Sequence, residues 1–293
     1  MTRQEPARNG ASILGHFATS RGAEVLALQA SPILGAVLGG IALDLQSLVR
    51  LGLLAVGSLA VTAHVFVFND WAEYEVDRRD PRRAETGLSH RGITRRQVAR
   101  LAIALLVVAN VAFIALGALS WLLGASIAAL GFLYSRSAIL GKRSPIVGSI
   151  NHLVGGSIHF LLGYTVFHVL DARGVSISLF FGLVFAGGHL NHEVRDYEVD
   201  LPNRIRTTAV VFGRRRAFIA SLCTFSVALA LIVGLAARGL LPKLLLFTPA
   251  VWVLLVMSSM RELRHGLEFE SAVRMQRRYR MLFALIGLAM LVG

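Results

Sequence analysis

Two short acidic segments hold the side chains best suited to chemistry. Residues 69–77 read NDWAEYEVD and residues 192–200 read HEVRDYEVD, so each ends in Tyr-Glu-Val-Asp after an apolar run. If both segments continue as helices, acids spaced three, four or seven residues apart share one helix face. The acids spaced in this way are Asp70, Glu73 and Asp77 in the first segment, and Asp196 and Asp200 in the second. The spacing therefore predicts two carboxylate-bearing helix faces.

Carboxylates grouped at the end of an apolar helix predict a cation site. At a membrane boundary such groups are costly unless a cation binds them. Magnesium takes one or two protein carboxylates and completes its shell with water and substrate phosphate. Two clusters, two magnesium ions and one diphosphate would balance the charge. The remaining nearby acids, Glu75, Asp80 and Glu198, are expected to pair with arginines at the surface, where such pairs contribute little.

The elements that carry these segments are apolar and long. Hydrophobic residues make up 55% of the 293, charged residues 16%, and the mean hydropathy is +0.64, which excludes an ordinary soluble domain. Runs long enough to cross a bilayer recur along the chain. They centre on residues 26–43, 48–68, 98–119, 121–134, 146–170, 175–190, 218–236, 241–257 and 281–293. We predict an all-α, polytopic membrane protein with about nine transmembrane helices, in two four-helix repeats plus one, as a single domain over residues 1–293.

The placement of the basic residues sets the predicted topology. The formal net charge is +13, but most of the Lys and Arg fall in the N-terminal arm and in every second connection. This alternation follows the positive-inside rule rather than indicating a nucleic-acid partner. It predicts a cytoplasmic N-terminus and puts both acidic segments at the cytoplasmic ends of their spans, the second and the sixth. Only Lys142 and Lys243 are lysines, which suggests GC-rich coding and a bacterial inner membrane.

Three segments resemble the UbiA superfamily of intramembrane prenyltransferases. NDWAEYEVD resembles its first signature, N-D-x-x-D-x-x-x-D, with Glu73 in place of Asp, and DYEVDLPNRIRTTAVVFG resembles its second, D-x-x-x-D, which follows the sixth span. The Thr-Ala-Val-x-Phe-Gly part of the latter resembles the 4-hydroxybenzoate polyprenyltransferase branch. YSRSAILGKRSPIVGSINH resembles the connection after the fourth span. The resemblance implies a helical bundle with a lipid-accessible cavity, and Mg²⁺-dependent transfer of an isoprenoid from a prenyl diphosphate to an aromatic or other lipophilic acceptor.

The resemblance also implies roles for individual residues. One magnesium ion would be held by Asn69, Asp70, Glu73 and Asp77, and the other by Asp196 and Asp200. The candidates for binding the diphosphate are Arg136, Lys142, Arg204 and Arg206. The candidates for lining the prenyl channel are Phe66, Phe68, Tyr134 and Phe160. Apart from the resemblance, His192 and Glu193 are candidates to deprotonate the acceptor, because both lie one turn from the second cluster.

Two departures from the family pattern concern substrate choice. Thr86-Gly87-Leu88 stands where the family commonly has Arg-Pro-Leu, so that arginine is missing or is replaced by Arg82, Arg83 or Arg91. Arg204 stands where the hydroxybenzoate branch has glycine. The hydroxybenzoate activity itself therefore does not carry over.

Three other functions fit parts of the pattern. A terpene cyclase of the same superfamily would ionise the same diphosphate and quench the cation internally. Another relative would transfer phosphoribose to a lipid phosphate. A transporter is also built from repeats, but its charged residues lie near the bilayer midplane, whereas here they lie at one surface.

Overall fold

The computed structural model describes residues 12–79, 87–89, 91–136, 141 and 144–292, and the secondary structure within these ranges is helical, without strands. The helices are α1 (Ile13–Leu28), α2 (Ala30–Leu38), α3 (Leu45–Arg79), α4 (Arg95–Leu116), α5 (Ala118–Arg136), α6 (Val147–Phe167), α7 (Ala172–Asp200), α8 (Thr208–Phe212), α9 (Arg214–Ala237), α10 (Thr248–Arg264) and α11 (Phe269–Ala289). A 3₁₀ helix, Lys243–Phe247, leads into α10. The predicted all-α fold is confirmed.

Six helical segments in the described ranges are long and apolar enough to cross a membrane. They are Leu45–Glu75, Arg95–Leu116, Ala118–Arg136, Ala172–Asp200, Arg214–Ala237 and Lys243–Arg264. The predicted spans at 26–43, 146–170 and 281–293 fall on α1 and α2, α6, and α11, which are outside this set. The chain is thus a helical protein with membrane-length helices, while the count of nine spans and the orientation of the termini stay predictions.

The apolar run at 26–43 is not one helix. Helix α1 ends at Leu28 and α2 begins at Ala30. Pro32 accounts for the break, because proline lacks the N–H that would bond to the carbonyl of Leu28 and is tolerated only in the first turn of a helix. In α2 it occupies that first turn. Hydropathy alone therefore overestimated the length of this element.

The helices group into two compact units. One unit comprises Met1–Gln29 and Val49–Arg136 and contains the first acidic segment; the other comprises Ala30–Leu48 and Ser137–Gly293 and contains the second. That the two form a single domain remains a prediction.

In the first unit, α3, α4 and α5 approach one another around a single ring. Phe113 of α4 is 1% exposed. A Cβ built on Gly57 of α3 would lie 2.5 Å from this ring, and one built on Gly124 of α5 would lie 2.2 Å from it. The two glycines therefore let α3 and α5 pack closely on the two sides of the aromatic side chain, as small residues do in membrane helix bundles.

In the second unit, α7 is the central helix and packs against α6, α8, α9 and α11. The core contains Phe160, Phe181, Phe218 and Phe225. Helix α2 lies against α6 so closely that a Cβ on Gly163 would come 1.8 Å from the carbonyl oxygen of Pro32. This packing fixes the position of α7, whose last turns carry the second acidic segment.

Candidate active site

The first acidic segment forms the last turns of α3. Helix α3 continues unbroken to Arg79, so the predicted sharing of one face by Asp70, Glu73 and Asp77 is confirmed. The Asp70 carboxylate, 20% exposed, accepts a hydrogen bond from Nη2 of Arg21 in α1 at 3.4 Å. His16 lines the same small pocket as Asp70. Burial, together with the positive charge of Arg91, lowers the pKa of the His16 imidazole from its usual value.

Two further side chains hold this segment in place. Asn69 donates from Nδ2 to Oε2 of Glu73 at 3.3 Å, across one helical turn. The hydroxyl of Ser135, near the end of α5, donates to Oδ1 of Asn69 at 3.2 Å. The amide therefore links α5 to the carboxylate face of α3.

The donor set of the first segment suits magnesium. Its potential ligands are the carboxylate and amide oxygens of Asn69, Asp70, Glu73 and Asp77, which hard cations prefer. Within the described ranges, no three His, Cys, Asp or Glu side chains are grouped closely enough to hold a metal ion by themselves. Magnesium needs only one or two protein carboxylates and takes its other ligands from water and phosphate, so it does not require such a three-ligand group.

An aromatic and cationic cluster adjoins the first segment. Trp71 lies 5.4 Å from Phe68, ring to ring, and Phe68 lies 5.5 Å from Phe132 of α5. The guanidinium carbons of Arg95 and Arg136 lie 4.6 and 5.8 Å from the centre of the Trp71 ring. The cluster places Arg136, a predicted diphosphate ligand, beside the first acidic segment.

The residues predicted to line a prenyl channel lie in different environments. Phe68 belongs to the cluster just described, and Phe66, also half-buried, lies 5.6 Å below the guanidinium of Arg21. Tyr134 is half-buried on α5. Phe160 is 0% exposed and stacks on Phe181 at 4.7 Å, so this side chain packs as part of the core and has no surface to offer a channel.

The second acidic segment forms the end of α7, which continues to Asp200. Asp196 forms a bidentate ion pair with its neighbour Arg195, whose Nε and Nη2 donate to Oδ1 and Oδ2 of Asp196 at 2.7 and 2.8 Å. Helix geometry places Asp200 one turn further on the same face. Glu198 instead pairs with Arg214 at 2.8 Å and is 64% exposed, as expected for a surface acid.

Glu193 has a different environment from the other acids of the segment. Its side chain is 6% exposed; Oε2 accepts a hydrogen bond from the backbone N–H of Ala209 at 3.2 Å, and Oε1 lies 3.1 Å from Nε2 of His189. The His189 ring stacks on His152 of α6 at 4.0 Å. The Oε2 contact thus ties α7 to α8, while the contact of Oε1 with His189 lies within α7.

His192 faces α11. Its Nε2 lies 3.2 Å from Nη2 of Arg280. Arginine can only donate, so Nε2 accepts and the proton of the neutral ring is on Nδ1. His192 would therefore act as a base only after Arg280 moved away from Nε2.

The predicted diphosphate arginines follow α7 directly. Arg204 and Arg206 are exposed on the loop between α7 and α8, and Arg204 has a φ of 54°. This left-handed backbone conformation favours glycine, which is the residue expected there from the family pattern. The loop is fixed at its far end by Thr207, whose hydroxyl accepts from the N–H of Val210 at 3.3 Å and caps α8. Lys142 lies outside the described residues.

Sequence reasoning missed three residues of the site. They are Arg21, Trp71 and Arg95. Arg21 pairs with Asp70, and the Arg95 guanidinium lies over the Trp71 ring. Each contact joins two different helices, so no spacing within a short segment of the sequence predicts it. Glu193 carried a readable signal, because His189 and Glu193 are four residues apart and so share one face.

Comparison with known proteins identifies the relatives of this chain. The model of the UbiA prenyltransferase family matches residues 32–286. A UbiA homologue from Archaeoglobus fulgidus, bound to GPP and Mg²⁺, is 16% identical, with a TM-score of 0.70 over 95% of this chain and 99% of that one. A digeranylgeranylglyceryl phosphate synthase is 17% identical, with a TM-score of 0.72 over 95% and 96%.

A third solved structure has the same fold. The apo UbiA homologue from Aeropyrum pernix K1 is 17% identical, with a TM-score of 0.69 over 91% of this chain and 97% of that one. At such identities the likeness concerns the fold. No curated protein sequence matches the chain.

Proposed function

The chain belongs to the UbiA prenyltransferase family, and from this premise we propose that it transfers an isoprenoid from a prenyl diphosphate to a lipophilic acceptor within the membrane, with Mg²⁺ as cofactor. The observation that carries the proposal is the position of the two acidic segments, each on the last turns of a long apolar helix. The homologue from Archaeoglobus fulgidus bound to GPP and Mg²⁺ supports both the donor class and the metal.

The carboxylate faces would hold the metal. Asn69, Asp70, Glu73 and Asp77 would hold one magnesium ion, and Asp196 and Asp200 the other. When bound, these ions would neutralise the diphosphate as it leaves and so favour ionisation of the allylic carbon–oxygen bond. Arg21 and Arg195 balance part of the carboxylate charge, so a bound magnesium ion would share Asp70 and Asp196 with these arginines or displace them.

The exposed arginines would bind the diphosphate. Arg204 and Arg206 lie within six residues of Asp200 and project from a loop fixed at both ends. Guanidinium groups give paired, charge-assisted hydrogen bonds to phosphate oxygens. Arg136 would add a third cation next to the first acidic segment, and Lys142 stays a candidate from the sequence.

The aromatic side chains would protect the allylic cation. Phe68 and Phe132 lie close to the first acidic segment, and aromatic ring faces attract cations in dry surroundings. Trp71, whose ring is already in contact with Arg95 and Arg136, would instead hold those arginines in place. Phe66 and Tyr134 stay candidates for the channel wall. Apolar helices around the site would keep water from quenching the cation before the acceptor does.

The acceptor would lose a proton on transfer. His192 remains the candidate base, with Arg280 controlling access to its Nε2. The interior contacts of Glu193 favour a positioning role for that carboxylate. The candidate acceptors are an aromatic compound and a lipid phosphate; the latter is included because one structural relative is a digeranylgeranylglyceryl phosphate synthase. We place the site at the cytoplasmic face of a bacterial inner membrane, from the distribution of the basic residues.

Product analysis tests the proposal. Purified protein in lipid nanodiscs would be given labelled geranyl diphosphate and Mg²⁺ with quinone-precursor, tetrapyrrole or glycerol-phosphate acceptors. We expect diphosphate release that EDTA abolishes and a prenylated product with one acceptor class. A cyclised hydrocarbon formed without any acceptor would instead establish the cyclase alternative. Absence of diphosphate release under every condition would refute the proposal.

A further inference from the structure

A groove beside the second acidic segment runs between α7 and α11. It has a volume of about 440 Å³ and is lined by Arg195 of α7 and by Val273, Gln276, Arg277, Arg280, Met281 and Ala284 of α11. Neither a predicted metal ligand nor a predicted diphosphate ligand lines it. Two of its residues nevertheless touch the candidate site, since Arg195 pairs with Asp196 and Arg280 lies against His192. The groove thus adjoins that site without containing its proposed ligands.

The polar end of the groove is strongly basic. It is lined by three guanidinium groups, those of Arg195, Arg277 and Arg280. Arg195 is balanced by Asp196, whereas Arg280 contacts the neutral acceptor atom of His192. The excess of positive charge complements an anion.

Gln276 gives an independent indication of the ligand's chemistry. The side chain is 8% exposed, and its Oε1 accepts from Nη1 of Arg195 at 3.4 Å. Because arginine can only donate, this contact fixes the orientation of the amide. The opposite atom, Nε2, is buried and has no hydrogen-bond partner within the described ranges. A buried donor left without a partner is unfavourable, so the site calls for an acceptor oxygen.

The other end of the groove is apolar. Met281, which lines the groove, is 61% exposed. Leu285 and Leu288, one and two turns further along α11, do not line the groove but continue this exposed apolar surface, and each is 61% exposed. Helix α11 thus changes from a basic first half to an apolar second half. A free phosphate would match only the basic end, whereas a molecule with an anionic head and a hydrocarbon tail would match both.

We propose that this groove binds an anionic phospholipid. The headgroup phosphate accepts from Gln276 Nε2 and is held by Arg277 and Arg280, while an acyl chain lies along Met281 and Ala284. Basic pockets at the ends of membrane helices suit such headgroups. The positive-inside rule accounts for the arginines. It does not account for the buried Nε2 of Gln276, which has no hydrogen-bond partner among the described residues. The inference does not depend on the proposed prenyl transfer.

Native mass spectrometry of the detergent-solubilised protein tests the inference. The protein would be titrated with dioleoyl phosphatidylglycerol and, separately, with dioleoyl phosphatidylcholine. We expect one phosphatidylglycerol to bind with clear preference over phosphatidylcholine. Gln276→Glu turns the donor into an acceptor, and Arg277→Gln removes an exposed charge; each should weaken phosphatidylglycerol binding about tenfold, as expected for one charge-assisted hydrogen bond.

Arg278→Gln is the matched control. It removes the same charge from the same helix, but Arg278 contacts Ser258 and does not line the groove, so binding should be unchanged. Equal binding of the two lipids, or unchanged binding in both Gln276→Glu and Arg277→Gln, would overturn the inference. Displacement of the lipid by millimolar inorganic phosphate would also overturn it, in favour of a site for a soluble anion. Diphosphate release, measured in parallel, reports separately on the proposed function.

Discussion

Replacing Glu193 by alanine would remove the contact between α7 and α8. The carboxylate accepts from the N–H of Ala209 at 3.2 Å and lies 3.1 Å from the imidazole of His189, in surroundings where its own side chain is 6% exposed. Helix α8 in turn ends the loop that carries Arg204 and Arg206. We therefore expect Glu193→Ala to destabilise the fold and to loosen the loop proposed to bind diphosphate.

The magnitude follows from the groups left behind. A buried donor that loses its acceptor costs about 1–3 kcal/mol, which applies to the Ala209 N–H, and His189 loses its charged neighbour as well. Together these predict a loss of about 2–4 kcal/mol in the free energy of unfolding. Glu193→Gln keeps an acceptor oxygen and should cost about 1 kcal/mol.

Thermal unfolding in detergent and steady-state diphosphate release would measure both effects. Glu198→Ala is the control, because Glu198 is 64% exposed and pairs only at the surface with Arg214, a contact worth about 0–1 kcal/mol. Equal melting temperatures for Glu193→Ala and Glu198→Ala would refute the anchoring argument. If Glu193→Gln unfolded normally but lost all turnover, Glu193 would be the base for the acceptor instead.

The remaining predictions concern the metal ligands and helix packing. The first compares Asp77→Asn, Asp200→Asn, Glu75→Gln and Glu198→Gln. The aspartate variants should lose nearly all diphosphate release, because the transition state would lose several kcal/mol of stabilisation. The glutamates pair at the surface with Arg78 and Arg214, so their variants should keep most of the activity. The opposite ranking would refute the assignment of helix faces. EDTA should abolish diphosphate release by the native protein, and added Mg²⁺ should restore it. Diphosphate release that EDTA does not affect would show that the reaction needs no metal ion. Gly163→Ala should lower the melting temperature, because its Cβ would collide with the Pro32 carbonyl at a cost of about 1–3 kcal/mol; Gly188→Ala, with open space around its Cβ, should not.

The helices that carry the acidic segments were predictable because their signals are local. Apolar runs marked α3 and α7, and the spacing of the acids placed Asp70, Glu73 and Asp77 on one face once the helix was known to continue. The family pattern has glycine at the position of Arg204, and this position indeed takes a left-handed backbone conformation. These features depend on residues a few positions apart.

Features that join distant parts of the chain were not predictable. Arg21 and Asp70 are 49 residues apart, and their contact depends on how α1 lies against α3. Hydropathy measures transfer into lipid and says nothing about backbone breaks, so the interruption between α1 and α2 was missed. Phe160 reads like any aromatic residue of a span, and only packing shows that it is fully buried.

The two acidic segments differ in how the negative charge of their carboxylates is compensated. In the first, Asp70 contacts an arginine from another helix, and Asn69 bonds to Glu73 and to α5, so its geometry depends on three packed helices. In the second, Asp196 pairs with the adjacent Arg195, and the neighbouring Glu193 anchors α8. Charge compensation is thus largely local in the second segment and tertiary in the first. Disturbing helix packing in the first unit should therefore affect its carboxylates more than an equal disturbance in the second unit affects Asp196.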